Sequence, residues 1–347
     1  MLNGSKFRKY DLCEACMFYL GAVVVLLAGQ AAAGVIAYAL GDKIADPAAN
    51  GVFNTAFMIV LQLISAAFIV VYTRCTKRSF NFSFIGEGET SKAKNPLYYV
   101  LPIVAAIVLM AGMFLPTMWY GYFTQYVLRV PPEAGQVDMS RPASVACIVI
   151  ASVFLAPLCE ETIYRGVLFG GLKSGYGVVK AVLLSALAFM LMHMNVSQVV
   201  FQFALGVTSA VIMWAGGRLV SCIVLHAAAN SLALVIELTP LGVALGGCVE
   251  WLTQNVVAAV FITLGFALVA AALMFVIVKF GFMRIGEAAR AEDNDNNSVA
   301  ADPERAEAER EVLIADMRKK DGRMRYIIAA SICGVMLIVN TVAIVLG

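Results

Sequence analysis

Cys159-Glu160-Glu161-Thr162-Ile163-Tyr164-Arg165 is the stretch that decides what this chain is. Two adjacent carboxylates and an arginine stand inside the apolar run 143–170. Lipid makes such groups costly, at about 2.5–3.5 kcal/mol each by insertion scales, so a charge held there has a task. The task is either chemistry or an ion pair that locks two helices together. Glu161 and Arg165 stand four residues apart, so on a helix they share a face and can pair. Glu160 points about 100° away and is left for another partner. The pair lies about ten residues before the expected cytoplasmic end of its span, which is about 15 Å of helix.

Working outward, the rest of the chain supplies the lipid setting. It has 347 residues, 61% hydrophobic and 14% charged, with a mean hydropathy of +0.84. A soluble domain carries about 25% charged residues. This chain lacks the polar residues to cover a globular surface, and nothing in its charge pattern suggests a nucleic-acid face. Apolar runs of spanning length, about 20 residues, occur at 15–40, 53–73, 97–118, 143–170, 178–194, 197–215, 219–238, 254–279 and 325–346. The expected fold is therefore all-α: a polytopic transmembrane helix bundle of about nine spans. The first run follows Lys6, Arg8 and Lys9 but exceeds the ~7–15 apolar residues of a signal peptide, so it reads as a retained span.

Alternating nine spans across the membrane puts 22 of the 25 lysines and arginines on the side of the N-terminus and only Lys43, Arg129 and Arg141 on the other. The positive-inside rule then places the N-terminus in the cytoplasm and the C-terminus outside a cell membrane. Three connections are longer than turns. Residues 74–96 form a basic cytoplasmic loop. Residues 119–142 form an outside loop whose Trp119, Tyr120, Tyr122 and Tyr126 suit an interfacial aromatic belt. Residues 284–324 form a charged cytoplasmic linker, with a helix start at Asp302-Pro303-Glu304 and an exposed helix over 303–320. That linker ties a detached ninth span to the bundle. It is a solvated tether or a protein-partner site.

The chain has two histidines, and both fall in expected spans. Phe189-x-x-x-His193 sets an aromatic one turn before its histidine. His226-x-x-x-Asn230 sets an amide one turn after its own, on the same face. Two histidines, an asparagine and two glutamates on nearby spans point to a shared polar site rather than independent packing roles. Three chemistries fit that set. One is water activation by a carboxylate–imidazole pair with His and Asn donors to an oxyanion. Another is zinc held by two His and a Glu, although no H-E-x-x-H occurs. The last is a Cys159 nucleophile with a histidine base. The other cysteines read as small buried hydrophobes, and Cys13-x-x-Cys16 has redox spacing without a second pair. Depth is the difficulty: a fifth span starting near Lys180 carries His193 about 20 Å in, deeper than Glu160 or His226.

At these residues the sequence resembles the CAAX prenyl-protease and bacteriocin-processing family of membrane proteins, also called CPBP or Abi. That family shows E-E-x-x-x-R, F-x-x-x-H and H-x-x-x-N/D. Here these read Glu160-Glu161-Thr162-Ile163-Tyr164-Arg165, then Phe189-Met190-Leu191-Met192-His193, then His226-Ala227-Ala228-Ala229-Asn230. The resemblance covers roughly 143–238. It implies a glutamate-type peptidase that needs no metal or other cofactor. Glu160 would be the general base on water, helped by His193. His226 and Asn230 would form the oxyanion hole, with Glu161 and Arg165 holding the site together. The substrate implied is a peptide or membrane-associated protein, met in the cytoplasmic half of the membrane among its lipids. Gly166, Gly170, Gly171 and Gly175 follow the first motif at spacings suited to close helix packing or a kink; alternatively they simply end the helix.

The resulting division is a three-span N-terminal region (1–142), a catalytic core (143–238), an outside loop with the eighth span (239–283), the charged linker (284–324) and an accessory ninth span (325–347). A non-proteolytic membrane scaffold and a small-solute carrier are the rival readings.

Overall fold

The computed structural model describes residues 10–41, 47–76, 95–130, 141–289 and 323–346, and all the elements among them are helical. In chain order they are α1 (Leu12–Leu40), α2 (Pro47–Cys75), α3 (Leu97–Val127), α4 (Pro142–Tyr176), α5 (Val178–Met192), α6 (Val196–Trp214), α7 (Leu219–Leu238), α8 (Pro240–Gln254), α9 (Val256–Ala289) and α10 (Arg323–Leu346). Among the described residues, seven stretches are long and apolar enough to cross a membrane: α1, Phe53–Cys75 of α2, α3, α4, α6, α7 and α9. With the shorter apolar helices α5 and Tyr326–Thr341 of α10, the apolar helices coincide with the nine runs of the sequence. The chain is an all-α, polytopic membrane bundle.

Local sequence explains the boundaries. α1 opens on Asp11, whose side chain accepts the Glu14 N–H at 2.8 Å while Glu14 Oε2 accepts the Asp11 N–H at 3.2 Å. This reciprocal cap satisfies donors that a helix start leaves open. α4 ends at Gly177, whose φ of 79° turns the chain into α5; only glycine holds that conformation without strain. α4 is also interrupted twice. The Ala156 N–H reaches the carbonyl of Ala151, and the Phe169 N–H that of Tyr164. Both are five-residue, π-type steps over Val149–Leu155 and Thr162–Leu168. Pro157 follows the first after a single residue, Ala156. A proline lacks the N–H and clashes with the carbonyl four residues back, and a widened turn relieves both.

The packing builds a cage around α4. α7 lies against α3, α4 and α6, α5 pairs with α6, and α9 packs on α3. α1 covers α4 and contacts α2 and α10. α9 is almost bare, with 6% of its apolar window buried, as a lipid-facing helix should be. The main core runs from Phe18 and Tyr19 of α1 through Tyr164 and Leu168 of α4 to Phe189, Leu205 and Leu225. Gly171 and Gly175 let the last turns of α4 press on Ala15 and Leu12 of α1, since a Cβ at either glycine would collide with those side chains. They serve close packing, whereas Gly170 faces open space.

Several expectations are corrected. α4 continues to Tyr176, past the expected end at 170, because its glycines pack on α1 instead of stopping the helix. Residues 119–127 are helical, closing α3 with a π-type turn, not loop; Tyr122 stacks on Tyr126 with ring centroids 5.7 Å apart. Residues 240–254 form α8, started by Pro240 at its first turn, where a loop was expected. The ninth span is not detached: α10 packs along α1 and α5. The loop core 77–94, the segment 131–140, the expected helix 303–320 and the linker over 290–322 lie outside the described residues.

Candidate active site

The depth difficulty disappears once α4 is given its full length. Gly177 is the hinge of a helical hairpin. Glu160 stands 17 residues before it and His193 16 after it, so both reach about the same level, some 24–25 Å along their helices. α5 has 15 residues, too short to cross a bilayer. His193 therefore caps a helix that ends inside the bundle. His193 Nε2 comes to 3.9 Å from Glu160 Oε2. The His193 ring is aimed from within its own helix, because Nδ1 bonds the Phe189 carbonyl at 2.9 Å. A neutral imidazole that donates from Nδ1 presents an acceptor at Nε2 toward the carboxylate.

The two glutamates have different surroundings. Glu161 is fully enclosed: Arg165 Nη1 lies 3.2 Å from Oε1 and 3.1 Å from Oε2. Ser209 Oγ donates to Oε2 at 2.7 Å, and His226 Nδ1 lies 3.0 Å from Oε1. Arg165 gives Nη2 to the Gly206 carbonyl at 2.8 Å and lays its guanidinium over the Phe189 ring at 4.8 Å, while its Nε is buried without a hydrogen-bond partner. A buried charge pair is sustained by this degree of hydrogen bonding on both partners. Glu160 has less. Gln62 Nε2 of α2 donates to its Oε1 at 3.3 Å, while Oε2 is buried without a hydrogen-bond partner. The Glu160 and His193 side chains are 11% and 17% exposed, against 0% for both Glu161 and Arg165. Residual side-chain exposure is thus at Glu160 and His193.

Phe189 is the hub between the two halves. Its ring meets His193 at 4.8 Å, His226 at 5.6 Å and Tyr164 at 5.2 Å between centroids, each edge-on. Asn230 lies a turn beyond His226 but bonds neither glutamate nor His193; its Nδ2 donates at 2.6 Å to the Ser152 carbonyl, in the π-type turn of α4. Cys159 turns away toward α2, where its thiol donates to the Gln62 carbonyl at 3.5 Å. Among the described residues no three His, Cys, Asp or Glu side chains gather as a metal-ligating group.

Sequence reasoning missed Gln62, Ser209 and Ser152. Gln62 left a signal: it is the sole amide in the run Phe57–Tyr72. Ser209 left none, since a serine in an apolar helix usually bonds its own backbone. Ser152 acts through its carbonyl, which no side-chain pattern reveals.

Fold and site together define a polytopic membrane protein with two neighbouring buried carboxylates, each set against its own histidine. Residues 142–232 match the family model described as Type II CAAX prenyl endopeptidase Rce1-like. The matched segment contains all three motifs by which the sequence resembles the CAAX prenyl-protease and bacteriocin-processing family. It is similar to an uncharacterized protein of Mycoplasma capricolum subsp. capricolum, 23% identical over 210 residues, which cover 55% of this chain and 59% of that relative. No solved structure matches the chain.

Proposed function

We propose that the chain is an intramembrane endopeptidase in which Glu160, not a metal, activates water. The observation that carries this reading is the asymmetry of the carboxylates. Glu161 is saturated by Arg165, Ser209 and His226, whereas Glu160 keeps a partnerless oxygen facing His193 across 3.9 Å. That gap is too long for a direct hydrogen bond and suits a bridging water. Such a water would donate one proton toward Glu160 Oε2 and the other toward His193 Nε2, leaving a lone pair for attack.

In the proposed cycle Glu160 takes a proton as the water oxygen bonds to the scissile carbonyl carbon. The oxyanion that forms would accept from Nε2–H of His226, which, with Nδ1–H already given to Glu161, donates there as an imidazolium, and from the second N–H of Asn230, whose first is committed to Ser152. The tetrahedral intermediate collapses with cleavage of the C–N bond. Glu160 returns its proton to the leaving amine; an amine and a carboxylic acid depart, and the acid gives its remaining proton to solvent. Substrate would be a peptide segment of a membrane-tethered protein, reaching Glu160 from the partly exposed side. The prenylated CAAX class named by the matching family is the first to try.

The test is cleavage of membrane-tethered peptides, with and without a C-terminal prenylcysteine motif, by purified protein in the presence of a chelator. Cleavage abolished by Glu160→Gln supports the reading. Cleavage retained by Glu160→Gln, or lost to chelator and restored by zinc, overturns it.

A further inference from the structure

We propose that α10 is a brace on the turn that carries His193, and that Asn340 is the positioning residue through which it acts. The proposal rests on the preceding reading only for the task given to His193. It starts from a problem in the chain: α5 ends inside an apolar bundle and must reverse there. His193 and Met194 close that end, with N–H groups bonded to Met190 and Leu191 carbonyls at 3.2 and 3.1 Å. Met194 then takes φ of 49°, a left-handed conformation uncommon for any residue but glycine, asparagine or aspartate. It is 4% exposed, and it stands between α5 and α6, outside either helix. A buried carbonyl without a partner is costly where water is scarce.

α10 supplies the missing donor. Asn340 Nδ2 donates to the Met194 carbonyl at 3.2 Å, across 146 residues of sequence. Asn340 is the single amide of the apolar run Tyr326–Ile338 and its next turn, and this contact gives a reason for holding an amide there. The same helix grips α5 lower down, where Tyr326 Oη donates to the Leu184 carbonyl at 2.7 Å. Between the two, Tyr19 Oη reaches Cys333 Sγ at 3.9 Å and packs its ring on Tyr164, 5.9 Å away, beside Phe189. α10 thus holds α5 at its middle and at its end. The His193 imidazole is tied by Nδ1 to the Phe189 carbonyl of α5, so it moves with that end. Its distance to Glu160 is set by a turn that α10 pins.

The chain has two histidines, which makes a direct test possible without any substrate. Diethyl pyrocarbonate modifies accessible neutral imidazoles, and mass spectrometry separates His193 from His226. The comparison is between wild type, Asn340→Leu, which keeps the volume without the donor, and Asn340→Ala, all as full-length protein in nanodiscs. Losing one hydrogen bond of ordinary net strength should open the turn about fivefold more often. His193 modification should accelerate by that factor in both variants while His226, 2% exposed, keeps its rate. An unchanged His193 rate overturns the brace. Equal acceleration of both histidines also overturns it, because it marks general loosening. The peptidase assay adds a second reading: kcat should fall with KM within twofold of wild type, the mark of a misplaced catalytic group. The labelling result judges the brace, and the Glu160→Gln cleavage result judges the peptidase, so the two can fail separately.

Discussion

Glu160 and Glu161 are neighbours in sequence and opposites in environment, and substitution should separate them. Glu161→Gln removes the counter-charge from a fully buried Arg165. Breaking such a pair on one side costs about 3–5 kcal/mol. The expected outcome is a large drop in the melting temperature of the purified protein, with activity lost as a consequence. Glu160→Gln removes a group with one 3.3 Å contact and an unpartnered oxygen. Its melting temperature should stay near wild type while cleavage falls by about 10²–10⁴-fold, the usual share of a general base. Equal destabilisation by the two would show that Glu160 is structural. Gln62→Met tests the contact from α2. It keeps the length of the side chain but not the donor, so kcat should fall about tenfold, the loss of roughly 1.4 kcal/mol of transition-state stabilisation, with little change in KM. A change confined to KM would mean that Gln62 touches substrate instead. The sequence shows the Glu161–Arg165 pairing because i,i+4 spacing is a local property. It hides Ser209 and Gly206, which complete that ion cluster from another helix and carry no charge of their own.

At the level of elements, the site depends on how far α4 is rotated. Its two π-type turns bracket Ala156–Glu161, and each adds a residue to the turn, shifting one end of the helix about the axis relative to the other. Pro157→Ala removes the reason for the first turn. The helix should relax toward regular α-geometry, and the residues on its N-terminal side, including the Ser152 carbonyl that holds Asn230, should be re-aimed by up to about 100°. Cleavage should fall by at least about tenfold while melting temperature is unchanged or raised, as interior proline costs a regular helix about 3 kcal/mol. Full activity in Pro157→Ala would show the π-type turn to be incidental. The elements themselves were largely legible, since an apolar run of spanning length declares itself by composition. What was not legible had local causes. Gly171 and Gly175 look like a helix stop but are contact points for α1, so the sequence alone ends α4 too early and sets its glutamates too shallow. α8 carries too few apolar residues to read as a span and too many to read as a surface helix. The docking of α10 on α5 rests on hydrogen bonds from Tyr326 and Asn340 to backbone carbonyls, and carbonyls are the same in every sequence.

For the whole molecule the open question is which way the bundle faces, and the described cysteines provide the probe. α4 has 35 residues, about 52 Å of helix against a hydrocarbon core of about 30 Å. One of its ends must therefore stand clear of the core. Its C-terminal turns lean on the first turn of α1, directly after Lys6, Arg8 and Lys9, which makes the proposed cytoplasmic face the projecting one. Glu160 then lies about 24 Å along the helix from Tyr176, nearer mid-membrane than the sequence suggested; under the proposed function substrate would enter beside Glu160 and His193. Cys75 ends α2, and Cys248 lies on α8; both are exposed, whereas Cys16, Cys159, Cys222 and Cys333 are buried. Under the charge-based orientation Cys75 faces the cytoplasm and Cys248 the outside. A membrane-impermeant maleimide added to intact cells should label Cys248 and leave Cys75 untouched until the membrane is opened, as judged by peptide mass mapping against Cys75→Ser and Cys248→Ser controls. Labelling of Cys75 with protection of Cys248 would invert the bundle. The approach to Glu160 would then begin at the opposite membrane face, and cytoplasmic membrane-tethered peptides would no longer be candidate substrates.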